Sequence, residues 1–262
     1  MLELYDLEQR REVVFFGFKR LETEYVVRQI SQFDINSAIS YSRLLDASAE
    51  PAIEEEINFF SALDHRFEWK VFDYDEPCDL RARLAAHGFE SEEPEALMVL
   101  DLASVPDIQW GVSNVDVRQI ADAVQLADVK RVEEAVWKED FTWLVKDLSL
   151  ALVQDPAHLS VYVVYVDGKP VSSAWIRFHP NSQFASLWGG STLPGFRGKG
   201  FYRSLVASRA REALSRNVRF LTVDASPMSQ PVLDRLGFRL ISYSHPCVWK
   251  SPGNPTDEGV TT

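Results

Sequence analysis

The chain of 262 residues is long enough for two modest domains, each able to bury its own core. Its 39 Asp and Glu outweigh 27 Lys and Arg, and the net charge of −12 argues against broad binding to nucleic acid or anionic membranes. Such acidity serves solubility and also favours cationic substrates such as amines. Cys78 and Cys247 stand alone, without disulfide or zinc spacing, so no metal is expected. Two isolated thiols make a reducing cytoplasm the expected location; the start MLELYDLEQRREV shows no secretory pattern and no segment reaches membrane-spanning length.

Taken in order, Glu12 to Phe18 and Thr23 to Ile30 read as strands, followed by a polar loop and Tyr41 to Leu45. Ala52, Ile53, Ile57, Phe60 and Leu63 recur at helical spacing, with Glu54 to Glu56 as the solvated face. Phe67 to Phe72 is a strand, and Asp75-Glu76-Pro77 opens a helix through Ala86. Gly88-Phe89 and a strand over Ala96 to Leu102 follow. The grammar from Arg66-Phe67 to Gly88-Phe89 returns at Arg219-Phe220 to Gly237-Phe238, so the first part reads as a degenerate copy of the second, although strand, helix and Gly-Phe also make a generic connection. The Pro- and Gly-bearing stretch 103–114 reads as a linker.

The second part begins with a strand over Val115 to Arg118 and a helix over Ile120 to Val136, carrying Val124, Leu126, Val129, Val132 and Val136. A second helix, Phe141 to Gln154, is ended by Pro156. Ser160 to Val166 is a buried strand, joined through Asp167-Gly168 to Lys169 to Phe178. Gln183 to Leu193 is the next strand, in which Gly189-Gly190 marks a bulge or a close backbone approach. The helix Phe201 to Arg216 follows a turn spelled F-R-G-K-G-F-Y from Phe196 to Tyr202. Side-chain-free amides at Gly198 and Gly200, the helix dipole and the cations Arg197, Lys199 and Arg203 make that turn an anion cradle. A P-loop is excluded, because Leu193 stands five residues before Gly198 and Gly200 follows Lys199. A dinucleotide fingerprint is excluded because its third glycine would fall at Arg203. The last segment, 251–262, reads as a flexible tail.

Arg197-Gly198-Lys199-Gly200-Phe201-Tyr202 resembles the acyl-coenzyme A signature R/Q-x-x-G-x-G/A of the GNAT acetyltransferase superfamily, with Tyr202 in place of the final small residue. The lead-in Leu193-Pro194-Gly195-Phe196 and the downstream stretch Arg219 to Phe238 match the family's pattern as well. The resemblance covers most of Val115 to Lys250. It implies an α/β (α+β) fold with a mixed, mostly antiparallel central sheet flanked by helices over 115–250, and a smaller degenerate GNAT-like domain over 1–102. It further implies that acetyl-coenzyme A is held as co-substrate, the pantetheine arm by main-chain groups at Ser191, Thr192 and Leu193 and the pyrophosphate by Arg197, Gly198, Lys199, Gly200, Phe201 and Tyr202. Ser226 and Ser229 approach the arm in the family's second motif, or equally cap the helix Ser229 to Leu236.

The chemistry so implied is direct attack of a small-molecule amine on a thioester. Such an amine, with a pKa near about 10.4, must lose a proton. Asp224, His179 and His245 are candidate bases. The family's usual acid, a tyrosine four residues before the late Gly-Phe, is Leu233 here, which leaves Tyr202, Tyr243, solvent or no residue for that role. Two other readings stay open: a non-catalytic acyl-coenzyme A sensor, and a protein acyltransferase whose first domain docks its partner. The sequence names neither the acceptor nor an oligomeric state.

Overall fold

In a computed structural model that describes residues 1–105, 107–108, 110–111 and 114–250, the chain divides into two compact units. The first takes Met1–Met98, Asp224–Pro231 and, of the described residues, 239–250. It opens with a helix, α1 (Leu2–Tyr5), that runs on through a wider π-helical turn, Asp6–Arg11. Strands β1 (Phe18–Glu22), β2 (Val26–Ser31) and β3 (Asn36–Ser42) form an antiparallel meander. The first strand expected over Glu12 to Phe18 therefore begins where that expectation ended, because the helix carries the chain through Arg11 first.

Helix α2 (Asp46–Ala62) follows, starting before Pro51 rather than after it. It packs Ala49, Ala52, Ile53 and Phe60 onto Phe67, Trp69 and Val71 of β4 (Arg66–Phe72), with Phe60 stacked on Phe67 at 4.3 Å. Each such aromatic contributes about 1.5–3 kcal/mol by leaving water. The face read as solvated hides one exception. Glu56 is buried and ion-paired to Arg28 of β2, Nε to Oε2 at 2.6 Å, while Glu55 is the exposed partner.

Strands β3 and β4 run parallel in register from Asn36↔Arg66 to Ile39↔Trp69 and then part. Arg10 enters where they part, donating from Nε to the Ser40 carbonyl at 3.2 Å, with its guanidinium 4.2 Å from the Phe72 ring. Helix α3 (Leu80–Ala86), the short β5 (Glu90–Ser91) and β6 (Glu95–Asp101) come next. The far edge of β4 is taken by the chain's last strand, β12 (Arg239–Trp249), from Ser244↔Phe72 to Trp249↔Phe67. Chain order assigned that strand to the domain over 115–250. Its Cys247 and Trp249 bury instead with Phe67, Trp69 and Phe89, which draws it into the first unit.

The second unit takes Val99–Val223 and Val232–Phe238. Strands β7 (Asp116–Ile120), β8 (Leu159–Val166), β9 (Lys169–Phe178) and β10 (Phe184–Thr192) are antiparallel in sequence order, and β11 (Phe220–Ala225) joins β10 in parallel. Between β7 and β8 lie α4 (Leu126–Trp137) and α5 (Thr142–Gln154). Val124, expected on the first of these helices, is exposed in a 3-10 turn ahead of it. Helix α6 (Phe201–Ser215) packs on the sheet face that carries Ser160 and Tyr162, both bonded to its Glu212. Helix α4 packs on the opposite face, where Ser173 meets its Glu133. The short α7 (Gln230–Arg235) precedes Gly237.

The internal repeat read from the sequence has a structural counterpart at each helix end. Phe89 donates its amide to the Leu84 carbonyl, and Phe238 donates to that of Leu233, both at 3.1 Å. Gly88 and Gly237 take φ +88° and +92° to allow it. Each half also places a parallel pair, β3 with β4 and β10 with β11, around one long helix.

Candidate active site

Strand β10 loses register with β9 between Gly189 and Ser191, where both glycines adopt left-handed backbone, φ +66° and +100°. A Cβ at Gly190 would lie 2.6 Å from the Tyr202 ring, and one at Gly189 would run into the Trp175 ring. Packing therefore fixes both as glycine. Carbonyls beside the bulge are met from α6. Arg209, fully buried, donates through Nη1 to Trp175 O at 3.0 Å and Trp188 O at 3.1 Å. Burial, only partly offset by Tyr202 and Tyr162, pushes its pKa down to about 10.

On its other edge β10 pairs with β11 from Phe184↔Phe220 to Ser186↔Thr222, and the bulge lies beyond the last of these pairs. The chain then turns through Pro194–Phe196 into the glycine turn, with Gly198 at φ +75° and Gly200 at φ +85°. Ser204 donates to Gly200 O at 3.0 Å, which opens the helical ladder, so the amides of Phe201, Tyr202 and Arg203 have no acceptor within the helix. A Cβ at Gly198 would meet nothing within 4 Å, so the space over the turn is open. Arg197, Lys199 and Arg203 are exposed around it, with Lys199 Nζ 4.8 Å over the Phe196 ring. Bare amides, a helix dipole and three cations suit an anion.

The other expected contacts are distributed unevenly. The Leu193 amide is already committed, donating to Val171 O at 3.0 Å. Ser191 O accepts from Ser172 Oγ at 2.7 Å, and Thr192 O accepts from Arg197 Nε at 3.1 Å. Ser226 is exposed and Ser229 half-buried, and they bond each other in the turn before α7, where the Gln230 amide donates to Ser226 O. These bonds close the turn itself, and among the described residues no α7 amide is seen to donate to either serine hydroxyl.

Among the candidate acids and bases, Asp224 is engaged at one oxygen by an ion pair, while its buried Oδ1 has no hydrogen-bond partner among the described residues. Its Oδ2 holds Lys70 Nζ at 2.6 Å, and Lys70 also reaches Glu95 at 2.9 Å, all within the first unit. His245 is held between Asp73 and Arg81, and Tyr243 is half-exposed on β12. Leu233 is fully buried, so no acid stands at the family's tyrosine position. Tyr202 lies against the bulge, and burial raises its pKa. A raised pKa makes it a weaker acid, and the contact seen for its ring is packing against Gly190.

His179 is buried, with Nε2 2.8 Å from Ser186 Oγ. Burial first, then Arg177 and His158, push its pKa down to about 4. The folded state therefore disfavours the imidazolium that the unfolded chain accepts near about pH 6.5. Stability from this group is full above about pH 6.5 and is lost as pH falls toward 4. Urea unfolding of His179→Gln beside the native protein should show that acid loss reduced in the variant, by at most about 3 kcal/mol. Parallel pH curves for the two proteins would refute the assignment.

Sequence reading missed Glu133. In the run R-V-E-E-A-V-W it looks like half of a solvated pair, yet it stands four residues after Val129 on the inward stripe, the signal that would have found it. Its carboxylate is 2% exposed and accepts from Ser173 Oγ at 2.6 Å, Ser191 Oγ at 2.5 Å and Trp137 Nε1 at 3.2 Å. Burial raises its pKa against the pull of those three bonds.

Among the described residues no group of three or more His, Cys, Asp or Glu is placed to hold a metal, and no helix is long and apolar enough to cross a membrane. No curated protein matches the sequence. Residues 125–238 match the model of the acetyltransferase (GNAT) family. Among solved structures, a GCN5-related N-acetyltransferase from Kribbella flavida is similar at 15% identity over 96% of each chain, with a TM-score of 0.71. A GCN5-related N-acetyltransferase from Sphaerobacter thermophilus is similar at 12% identity over 89% of this chain and 84% of its own, with a TM-score of 0.62. A tandem GNAT protein from the clavulanic acid biosynthesis pathway is similar at 12% identity over 87% of this chain and 79% of its own, with a TM-score of 0.57. At such identities the likeness is one of fold. The chain thus carries an acetyltransferase domain of the GNAT family at residues 125–238, within a two-lobed GNAT-like architecture.

Proposed function

We propose that this protein transfers an acetyl group from acetyl-coenzyme A to an amine of a small molecule by direct attack. One observation carries the reading: an open glycine turn with bare amides heads α6, next to a strand whose pairing with its parallel neighbour ends just before a glycine bulge. The residues fit the co-substrate. Backbone from Arg197 to Tyr202 would hold its pyrophosphate, and the side chains of Arg197, Lys199 and Arg203 would add charge. Acetyl-coenzyme A supplies an activated acyl carbon. The protein's part is to orient it, to offer a main-chain donor at the bulge to the carbonyl oxygen, and to relieve the amine of its proton. A thiol is a fair leaving group, so transfer does not require a side-chain acid.

The buried Leu233 favours a second reading, a coenzyme-binding sensor without turnover. A panel of amines with acetyl-coenzyme A, followed by thiol release, separates the two. Turnover with at least one amine is expected; tight coenzyme binding with no thiol released from any of them would favour the sensor.

A further inference from the structure

Among the described residues, two of the three carboxylates with less than a tenth of their surface exposed come with a guanidinium, and the third does not. Glu56 is paired with Arg28 and Asp75 with Arg10, both in the first unit. Glu133, the buried carboxylate of the second unit, is met by two hydroxyls and an indole, and no cation bonds it among the described residues. Elsewhere a buried acid without a counter-charge is a cost that a merely structural role does not repay, and such groups gather at functional sites. Its position agrees. Ser191, which donates to Glu133, is the first residue after the bulge, and it also accepts from Trp137 Nε1 at 3.1 Å. One lone pair on its Oγ is left over. Trp137, the last residue of α4, is half-exposed at 50%, so the Ser191 and Glu133 pair lies just beneath solvent.

We propose that Ser191 and Glu133 form a relay that takes the proton from the acceptor amine, with Glu133 acting through Ser191 rather than on the substrate. The inference rests on the acyltransferase reading and adds the base that reading lacks. The amine nitrogen donates its N–H to Ser191 Oγ while the Ser191 proton passes to Glu133 Oε2, which is 2.5 Å away. The nitrogen pair so freed forms the new bond to the thioester carbonyl carbon, the C–S bond breaks with its pair on sulfur, and the second proton of the now positive nitrogen passes by way of water to that sulfur. Glu133 returns its proton to water by the same serine. Atoms and charge then balance as ammonium plus thioester giving amide, thiol and one proton released to solvent.

The groups that reach Glu133 from β9, β10 and its own helix are Ser173, Ser191 and Trp137, none of them charged. Burial raises the proton affinity of a carboxylate so placed, so it is a stronger base than an exposed one.

Glu133→Gln keeps the shape and removes the base. Turnover is expected to fall about 100-fold or more at pH 7, with coenzyme affinity by calorimetry within about twofold of native. The native acid limb of the rate profile should vanish in the variant, and a weakly basic acceptor such as aniline, neutral at pH 7, should suffer a much smaller loss than an alkylamine. Ser191→Ala, which leaves Glu133 two of its donors, should reproduce the same pattern and serves if Glu133→Gln unfolds. Native-like turnover in either folded variant overturns the relay alone. Coenzyme binding lost together with turnover also overturns it, since Glu133 would then only support the bulge. A native protein that turns over no amine overturns the acyltransferase reading and the relay with it.

Discussion

Gly198→Glu is expected to weaken acetyl-coenzyme A binding by at least about 100-fold while leaving the protein folded. At φ +75° any side chain is strained, which costs about 1–2 kcal/mol. A Cβ there meets nothing within 4 Å, so the carboxylate would stand in the open space above the turn, among the amides assigned to the pyrophosphate. Placing a like charge beside a phosphate removes the attraction and adds repulsion. Gly198→Ala separates the two causes, because it carries the strain without the charge and should lose much less affinity. Gly190→Ala is a different test, since its methyl would clash with the Tyr202 ring and shift the bulge itself. Calorimetry on the three variants reads all of this. Affinity for coenzyme unchanged by Gly198→Glu would mean that the phosphates bind elsewhere.

That turn was legible because its chemistry is local. Glycine at positive φ, a proline lead-in and clustered cations are all written within about ten residues, and the helix that follows starts at Phe201, as its spacing implies. The repeat was legible for the same reason, each Gly-Phe being a short-range helix end. Features set by distant contacts were not. Nothing in R-L-I-S-Y-S-H-P-C-V-W says that it pairs with Phe67 to Phe72, because strand partners are chosen by the whole core. Asp224 reads as a base at a strand end until Lys70, 154 residues earlier, is seen to hold it. Glu133 and Glu134 are indistinguishable as letters. One faces Ser173 and Ser191, and the other pairs with Lys130 in solvent, a difference of one helical position.

The same limit hid Arg10, whose removal is the largest stability change expected in this protein. Its guanidinium is 2% exposed and bonds Asp75 in bidentate fashion, Nη1 to Oδ1 at 2.9 Å and Nη2 to Oδ2 at 2.8 Å, with Asp6 at 2.8 Å and Tyr74 at 3.2 Å. Burial works against its charge, but Asp75, Tyr74 and Asp6 outweigh that cost and hold it more firmly protonated than a free arginine. Arg10 fills the gap between β3 and β4, the counterpart in the first half of the opening between β10 and β11. The helix after that gap also differs from α6. It opens on Asp46, with Glu50 four residues on, where α6 has glycines and cations, so the first half neither offers an open gap nor a turn that would attract phosphate. Arg10→Ala leaves Asp75 buried without its partner, and should cost about 3–5 kcal/mol in urea unfolding of the full chain. Arg10→Met with Asp75→Asn should recover much of that loss. The methionine refills the space, and the amide oxygen can still accept from the Phe72 amide, which Asp75 Oδ2 now does at 3.0 Å. A cost below about 1 kcal/mol for Arg10→Ala would show that water, rather than this side chain, can fill the gap, and the first half would then regain the prospect of holding a ligand of its own.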